Sequence, residues 1–255
     1  MDYLPSSLWL LGLGNLGQAT LWTLSLLPYS DPTGVTLLLQ DPDISGPENL
    51  DTQILTTHAW VGQKKARASA RFAEERGFAT AISEQRFSAA THRSEHEPGL
   101  LLCGLDNLET RRVAAQTEAG FDLVIDAGLG GSAAEVFDIR IHSFPGARTP
   151  EEAWPPQTAM ANRPLPASLQ SLVDEGRLDR CGALSIAGKS MGVPSTAVVA
   201  AAIQVGQACR AIATSEYCDL IDLNLHDSSW ATGHDAKLSG SGSIPFQRAT
   251  PAART

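Results

Sequence analysis

Residues 8–17 have the sequence LWLLGLGNLG, in which an apolar run leads into closely spaced glycines. Its apolar residues predict a buried strand at 8–13, and the residues after them predict a helix at 14–27. The junction carries the pattern G-x-G-x-x-G. Glycines here permit a tight turn and let the backbone approach a phosphate, whose negative charge the start of the helix favours. The turn therefore predicts a nucleotide site, and its cofactor-binding residues are Gly12, Gly14 and Gly17.

Strands and helices alternate through the first half of the chain. The further predicted elements are buried strands at 35–40, 100–105 and 123–127 and helices at 59–76 and 107–119. This order predicts an α/β fold, a Rossmann-like mostly parallel sheet with helices on both faces. Ligands of such sheets bind beyond the carboxyl ends of the strands. Three residues lie at such ends and are expected to share one site: Gly12, Asp41 and Asp106.

The second half of the chain has a different pattern. Its predicted elements are an exposed or antiparallel strand at 135–144, a loop rich in Pro, Ala and Thr at 145–166, a long helix at 193–212 and a late strand at 220–225. Beyond residue 226 few residues are apolar, so too little surface can be buried to offset the ordering entropy. We therefore predict one domain at 1–226 and a disordered tail at 227–255.

Composition limits the classes to which the chain can belong. It has 255 residues, a hydrophobic fraction of 43% and a net charge of −9, which indicate a globular protein and argue against binding to nucleic acid or to a membrane surface. The N-terminus does not have the form of a signal peptide, and no stretch predicts a membrane span. The cysteines lack C-x-x-C spacing, and Cys103 and Cys209 are expected to be buried thiols. The six histidines are expected at the surface, and the protein in the cytoplasm.

Asp41 ends the second predicted strand, 24 residues after Gly17. An acidic residue about 20 residues beyond the glycine pattern commonly bonds a ribose hydroxyl. Asp41 is therefore a predicted cofactor-binding residue. The glycine turn and Asp41 alone would favour a nicotinamide-dependent oxidoreductase, and that function remains one alternative.

Four further motifs follow the turn in the order Asp41-Pro42-Asp43, ENLDTQ at 48–53, VGQKKA at 61–66 and LDNLETR at 105–111. Together they resemble the ThiF-like adenylating enzymes, which carry D-x-D, N-L-N-R-Q, V-G-x-x-K-A and D-N-x-x-x-R in this order. That family includes the activating enzymes of ubiquitin and of sulfur-carrier proteins. The resemblance implies a homodimer that uses ATP and Mg²⁺ to adenylate the C-terminal carboxylate of a ubiquitin-like or sulfur-carrier protein.

The resemblance also implies roles for single residues. Lys65 is in the position of the phosphate-binding lysine, with Lys64 as its solvated neighbour, and Asp106 is in the position of the magnesium-binding aspartate. Capping of the next helix is an alternative role at Asp106, and the two roles are compatible. Arg111 is expected to form a structural pair within its helix. The remaining nucleotide contacts that the resemblance implies are Asn49, Gln53 and Asn107.

Cys181 is a third catalytic candidate. In some relatives a cysteine in the later half accepts the activated carboxyl group as a thioester or persulfide, and Arg180 could lower the pKa of this thiol. A purely structural cysteine is the alternative, and we favour it.

Thr52 departs from the family pattern, because it occupies the position of the arginine in N-L-N-R-Q. Threonine cannot offer a cation to the triphosphate, and one such contact is worth roughly 3–4 kcal/mol of transition-state stabilisation. The N-terminal arm also contains no arginine, and the paired C-x-x-C zinc ligands of many relatives are absent. These departures leave a second alternative: a catalytically weakened relative that binds a nucleotide or a partner protein.

Overall fold

The computed structural model describes residues 3–130, 135–155, 170–171, 174–176, 193–238 and 244–248. The strands within these residues are β1 (Tyr3–Pro5), β2 (Ser7–Leu11), β3 (Thr36–Gln40), β4 (Ala79–Ser83), β5 (Leu100–Cys103), β6 (Leu123–Leu129), β7 (Asp138–Phe144), β8 (Glu216–Cys218), β9 (Leu220–Asn224), β10 (Ser229–Thr232), β11 (Asp235–Lys237) and β12 (Phe246–Arg248). Eight of them form one sheet in the order β10-β9-β7-β6-β5-β2-β3-β4.

The sheet is parallel from β4 to β6 and antiparallel beyond it, where β7, β9 and β10 follow. This confirms the predicted α/β fold, and it confirms 135–144 as the site of an antiparallel strand. The edge strand β4 was not predicted. Its residues are half-buried or exposed, so the sequence there lacks the apolar run that marks a strand covered on both faces.

Helices cover both faces of the sheet, as predicted. They are α1 (Asn15–Ser25), α2 (Lys65–Glu74), α3 (Leu108–Ala115), α4 (Pro150–Ala153) and α5 (Pro194–Thr214). Leu8 and Leu10 belong to the core that contains α1, α2 and α5. Trp9 and Leu11 belong to the core that contains α3 and α4. Because alternate residues of a strand point to opposite faces, these two cores lie on opposite sides of the sheet.

Helix α2 begins later than the prediction of a helix at 59–76. Gly62 has φ +83°, and Lys64 has an extended backbone, so neither can continue a helix from the 3₁₀ turn at His58–Trp60. The delayed start places Lys65, rather than Ala59, in the first turn of α2.

Helix α5 is a core helix. It is long and apolar enough to cross a membrane, with a mean hydropathy of 1.3, but half of that stretch is buried within the fold. Its fully buried Gln204 joins three elements. The Gln204 amide donates to the carbonyl oxygens of Cys103 in β5 and Ile125 in β6, at 3.0 and 2.7 Å, and its oxygen accepts from the Thr20 hydroxyl of α1 at 2.8 Å.

We expect Gln204→Leu to lower the free energy of unfolding by ~2–4 kcal/mol, because three buried polar groups lose this partner. Urea denaturation measures the loss. The matched control is Gln116→Leu, since the Gln116 amide donates to the Glu151 carboxylate at the surface. That control should cost less than ~1 kcal/mol. Equal losses for the two variants would contradict the assignment of a buried network to Gln204.

The described part of the C-terminal segment contains three short strands, where composition predicted a disordered tail. β10 pairs with β9, β11 with β8, and β12 with β1, and Ile244 is 4% exposed against the main core. The prediction of disorder is wrong for these strands, because their backbone groups pair with β8, β9 and, at the other end of the chain, β1, and composition does not register such pairing. The domain boundary at residue 226 stays a prediction.

Candidate functional site

The glycine turn connects β2 to α1 and is held by close backbone packing. Gly12 has φ +83°, and a Cβ there would lie 3.1 Å from the Gly104 carbonyl oxygen. A Cβ on Gly17 would overlap the carbonyl oxygen of Gly12. These two positions therefore require glycine, since α1 packs directly onto the turn that precedes it.

Gly14 differs from the other two glycines of the turn. It is the N-cap residue of α1 and provides no side-chain cap for the first N–H groups of the helix. A Cβ on Gly14 would meet open space, with Gln53 Nε2 4.0 Å away as its one near neighbour. Uncapped N–H groups beside open space at a helix start form an arrangement that can hold an anion.

Asp41 holds the turn from the end of β3. It is 5% exposed, and its carboxylate accepts hydrogen bonds from the N–H groups of Leu13 at 2.7 Å and Asp43 at 2.8 Å. Burial raises the pKa of Asp41, while these two bonds and nearby Lys65 oppose the rise. Each of these carboxylate oxygens keeps a second lone pair that can accept a hydrogen bond from a ribose hydroxyl. The ribose contact assigned to Asp41 stays a prediction.

Lys65 lies next to Asp41 and Asp43. Its side chain is 11% exposed, its Nζ is 3.6 Å from the Asp43 carboxylate, and its N–H donates to the Asp43 carbonyl oxygen at 3.0 Å. Lys64, expected to be solvated, is half-buried and donates to the Pro42 carbonyl oxygen. The structure thus brings Lys65 to the same strand end as Asp41, which is bonded to the glycine turn.

Gln53 belongs to a buried network that the sequence analysis missed. Fully buried Gln18 of α1 donates to Gln53 Oε1 at 2.8 Å and to the Leu13 carbonyl oxygen at 3.2 Å. It also accepts from the N–H of Leu55 at 3.0 Å. Gln18 therefore joins the glycine turn to the segment that carries Gln53. Gln18 has the longest polar side chain of α1, and this is the one signal that could have indicated it.

Asn49 and Thr52 occupy the same segment. The Asn49 side-chain oxygen accepts from the N–H of Gly46 at 2.9 Å, so it shapes the loop, and its nucleotide contact stays a prediction. Thr52 is exposed, and its hydroxyl donates to the Glu48 carbonyl oxygen at 3.1 Å. Neither contact supplies the cation that the family arginine provides.

The loop after β5 carries Asp106 and Asn107. Asn107 caps α3 by accepting from the N–H of Thr110 at 2.9 Å, so the cap is Asn107 and not Asp106. Asp106 is exposed, and its loop adjoins the turn, because a Cβ on Gly12 would lie 2.9 Å from Leu105 Cδ2. Arg111 does not pair within its helix as expected. Its guanidinium donates to backbone carbonyl oxygens outside α3.

An open pocket of ≈ 370 Å³ lies at the carboxyl end of β4. It is open to solvent, and its lining is mainly polar. Two hydrogen bonds connect the pocket to the end of β3. The Asp41 N–H donates to the Ser83 carbonyl oxygen at 3.1 Å, and the Gln40 side-chain amide donates to the Gln85 carbonyl oxygen at 2.9 Å. The residues that line it are Arg67, Ile82, Ser83, Glu84 and Gln85.

The thiols of the described residues are buried. Cys103, Cys209 and Cys218 are free and buried, which confirms the prediction for the first two, and burial raises the pKa of Cys209 to about 11. A raised pKa disfavours the nucleophilic thiolate. Cys181 lies outside the described residues.

Within those residues no cluster of three His, Cys, Asp or Glu side chains could hold a metal ion.

His142 is 4% exposed, which corrects the expectation of a surface residue. It faces Asp126 across the antiparallel pair of β7 and β6, and its ring lies 5.3 Å from that of Trp154. Burial, assisted by nearby Arg140, lowers the pKa of His142 to about 4. Burial also raises the pKa of Asp126 to about 6, against the opposing effects of Arg111 and the Cys103 thiol.

These shifts act on stability in opposite directions. Between pH 6.5 and 4 the unfolded chain binds a proton at His142 that the folded chain does not, so this residue makes the fold less stable as pH falls. Asp126 binds its proton first in the folded state and offsets part of the loss. The free energy of unfolding of His142→Phe, taken relative to that of the unmodified chain, should therefore rise by ~3 kcal/mol as the pH falls from 7 to 4. Chemical denaturation at both pH values measures the gain, and a pH-independent difference would contradict it.

The fold and the glycine turn define the class of protein: a Rossmann-like α/β domain. The chain belongs to the family described as BilD C-terminal domain, which matches residues 4–215. A curated relative, the bacterial E1-like protein BilD of Collimonas sp. (strain OK412), is 41% identical over 213 residues. That match covers 82% of this chain and 45% of the relative, so the chain spans less than half of the relative's length.

Solved structures share the fold at low sequence identity. E. coli MccB, solved with ATP, has a TM-score of 0.56 and 13% identity over 94% of this chain and 66% of its own. MccB with AMPCPP and MccA has a TM-score of 0.57 and 12% identity, with the same coverage. PaaA has a TM-score of 0.55 and 15% identity over 91% of this chain and 64% of its own. At this identity the likeness establishes the fold.

Proposed function

We propose that this domain binds ATP and adenylates the C-terminal carboxylate of a ubiquitin-like or sulfur-carrier protein. The observation that carries the proposal is the uncapped start of α1 at Gly14, with Lys65 beside the segment that follows β3 and Asp106 in the loop after β5. Membership in a family with an E1-like relative supports adenylation over a nicotinamide-dependent oxidation. MccB, which shares the fold, has been solved with ATP and with AMPCPP together with MccA, and this supports the choice of nucleotide.

The proposed binding mode follows the carboxyl edge of the sheet. The triphosphate lies on the N–H groups at the start of α1, where Gly14 leaves room for close approach. The ribose lies at Asp41, and the base extends towards the pocket beyond β4. Gln53, held by Gln18, contacts the nucleotide beside Gly14, and Asn49 shapes the segment that presents it.

The proposed reaction is a nucleotidyl transfer. A carboxylate oxygen of the carrier attacks the α-phosphorus, the bond from that phosphorus to the bridging oxygen breaks, and pyrophosphate leaves with the electron pair. Lys65 stabilises the charge that develops on the phosphate oxygens, and its burial strengthens that interaction. Asp106 fits a magnesium ligand, since Mg²⁺ is commonly bound by one or two carboxylates plus substrate phosphates. When bound, Mg²⁺ would neutralise phosphate charge.

A second candidate function is nucleotide or partner binding without full turnover. Thr52 favours it, because an exposed hydroxyl that donates to the Glu48 carbonyl oxygen stands where the family has an arginine. The homodimer that the resemblance implies, and the cytoplasmic location, remain part of the proposal.

Two measurements separate these functions. The first is ATP binding with and without Mg²⁺, with NADH as a competing ligand. The second is ATP–pyrophosphate exchange in the presence of candidate carrier proteins, with C-terminally amidated carriers as the matched control that lacks the nucleophile. Exchange that requires the free carboxylate supports adenylation. ATP binding without exchange supports the second function, and tight NADH binding without ATP binding would overturn both.

A further inference from the structure

Arg111 lies in the interior between α3 and the sheet, with its side chain 10% exposed. Its Nε donates to the Leu105 carbonyl oxygen at 2.6 Å, and its terminal nitrogen Nη2 donates to the Ala127 carbonyl oxygen at 3.1 Å. One guanidinium therefore joins the loop after β5 to the end of β6. Leu105 immediately precedes Asp106, so this bond fixes the backbone on one side of that residue.

The guanidinium has a buried counter-charge. Asp126 is 1% exposed, and its carboxylate lies 3.5 Å from Arg111 Nε. Arg111 is its charged partner among the described residues. Gly128 leaves the room that the side chain needs, because a Cβ there would lie 2.9 Å from Arg111 Nη1. Asp126 thus attracts the guanidinium by its charge, without a hydrogen bond to it, and Gly128 leaves the space in which the guanidinium reaches the two carbonyl oxygens.

The backbone on the other side of Asp106 is fixed as well. The Asn107 carbonyl oxygen accepts from the N–H of Arg111 at 3.0 Å, and the Asn107 side chain caps the helix. Asp106 is therefore an exposed carboxylate on a backbone that is tied at both neighbours. A charged group that is held in place before its ligand arrives loses little conformational freedom on binding.

We infer that Arg111, held by Asp126, is a positioning residue that fixes Asp106 for binding of magnesium–ATP. This inference rests on the proposed function. Lysine could not replace the arginine in this role. A lysine ammonium is a compact point charge, whereas the planar guanidinium reaches carbonyl oxygens of two separate segments at once.

The test measures the affinity for ATP in Mg²⁺ and in EDTA for the full chain and four variants. Asp106→Asn removes the predicted ligand, and Arg111→Lys keeps the charge but loses the two-carbonyl contact. Asp126→Asn removes the counter-charge. The matched control is Arg112→Lys on the same helix, since Arg112 contacts Glu109 and the Trp154 carbonyl oxygen instead.

We expect the unmodified chain and Arg112→Lys to bind ATP more tightly in Mg²⁺ than in EDTA. In the three other variants the ratio of the ATP affinity in Mg²⁺ to that in EDTA should fall at least about tenfold. Their affinity in EDTA should stay within about twofold of that of the unmodified chain. Thermal unfolding checks that each variant folds, and Asp126→Asn carries the test if Arg111→Lys does not. A full magnesium gain in Arg111→Lys, or equal losses in Mg²⁺ and EDTA, overturns the inference. Absence of ATP binding by the unmodified chain overturns the proposed function with it.

Discussion

Gly17→Ala is expected to destabilise the fold by more than ~3 kcal/mol, because the new Cβ would overlap the Gly12 carbonyl oxygen. A flexible side chain could move away, but a backbone carbonyl within a turn cannot. Relief would require α1 to move from the turn, and α1 carries the buried residues that pack against α5 and the sheet. Urea denaturation measures the loss, and ATP affinity should fall with it.

Gly14→Ala is the matched control within the same turn. Its backbone angles, φ −80° and ψ −151°, are accessible to alanine, and the new Cβ would meet open space. The free energy of unfolding should change by less than ~1 kcal/mol. The methyl group should nevertheless keep a phosphate from the start of α1, so ATP affinity should fall about tenfold or more. Unchanged affinity in Gly14→Ala would contradict phosphate binding at this position.

The contrast between these glycines marks what the sequence could predict. Spacing placed all three in a turn between a strand and a helix, and that prediction is confirmed. Spacing could not distinguish the two that serve packing from the one that faces open space. At Gly12 and Gly14 that difference depends on the Gly104–Leu105 loop and on the segment of Gln53, which the sheet brings to the turn from far along the chain. At Gly17 it depends on how closely α1 packs onto the turn itself.

Side-chain partners were predicted less well than elements, for a similar reason. Arg111 was expected to pair within α3, because pairs three or four residues apart are the ones that a helical sequence displays. Its actual partners lie on β6 and on the loop after β5, and the space for them exists because residue 128 is glycine. Gln18 reaches the segment of Gln53 and Leu55 in the same way. Such long-range contacts leave no periodic signal.

Lys65→Met is expected to reduce ATP–pyrophosphate exchange about 10²–10³-fold, with kcat affected at least as much as KM. Removing one charge-stabilising donor from an active site typically has this effect. Methionine keeps the apolar stem that α2 buries, and the lost ion pair involves Asp43, whose side chain is 59% exposed. Stability should therefore change little, because exposed partners contribute at most about 1 kcal/mol.

Lys64→Met is the control for the choice between neighbouring lysines. Lys64 directly precedes α2 with an extended backbone and its ammonium donates to the Pro42 carbonyl oxygen, so that group is already engaged with the loop. Its replacement should change exchange by less than about fivefold, in line with the loss of one hydrogen bond of about 1 kcal/mol. Lys65 instead begins the helix, beside the buried carboxylate of Asp41 that is bonded to the turn. A larger loss in Lys64→Met than in Lys65→Met would mean that the motif is aligned one residue out of register and that the phosphate-binding cation is Lys64.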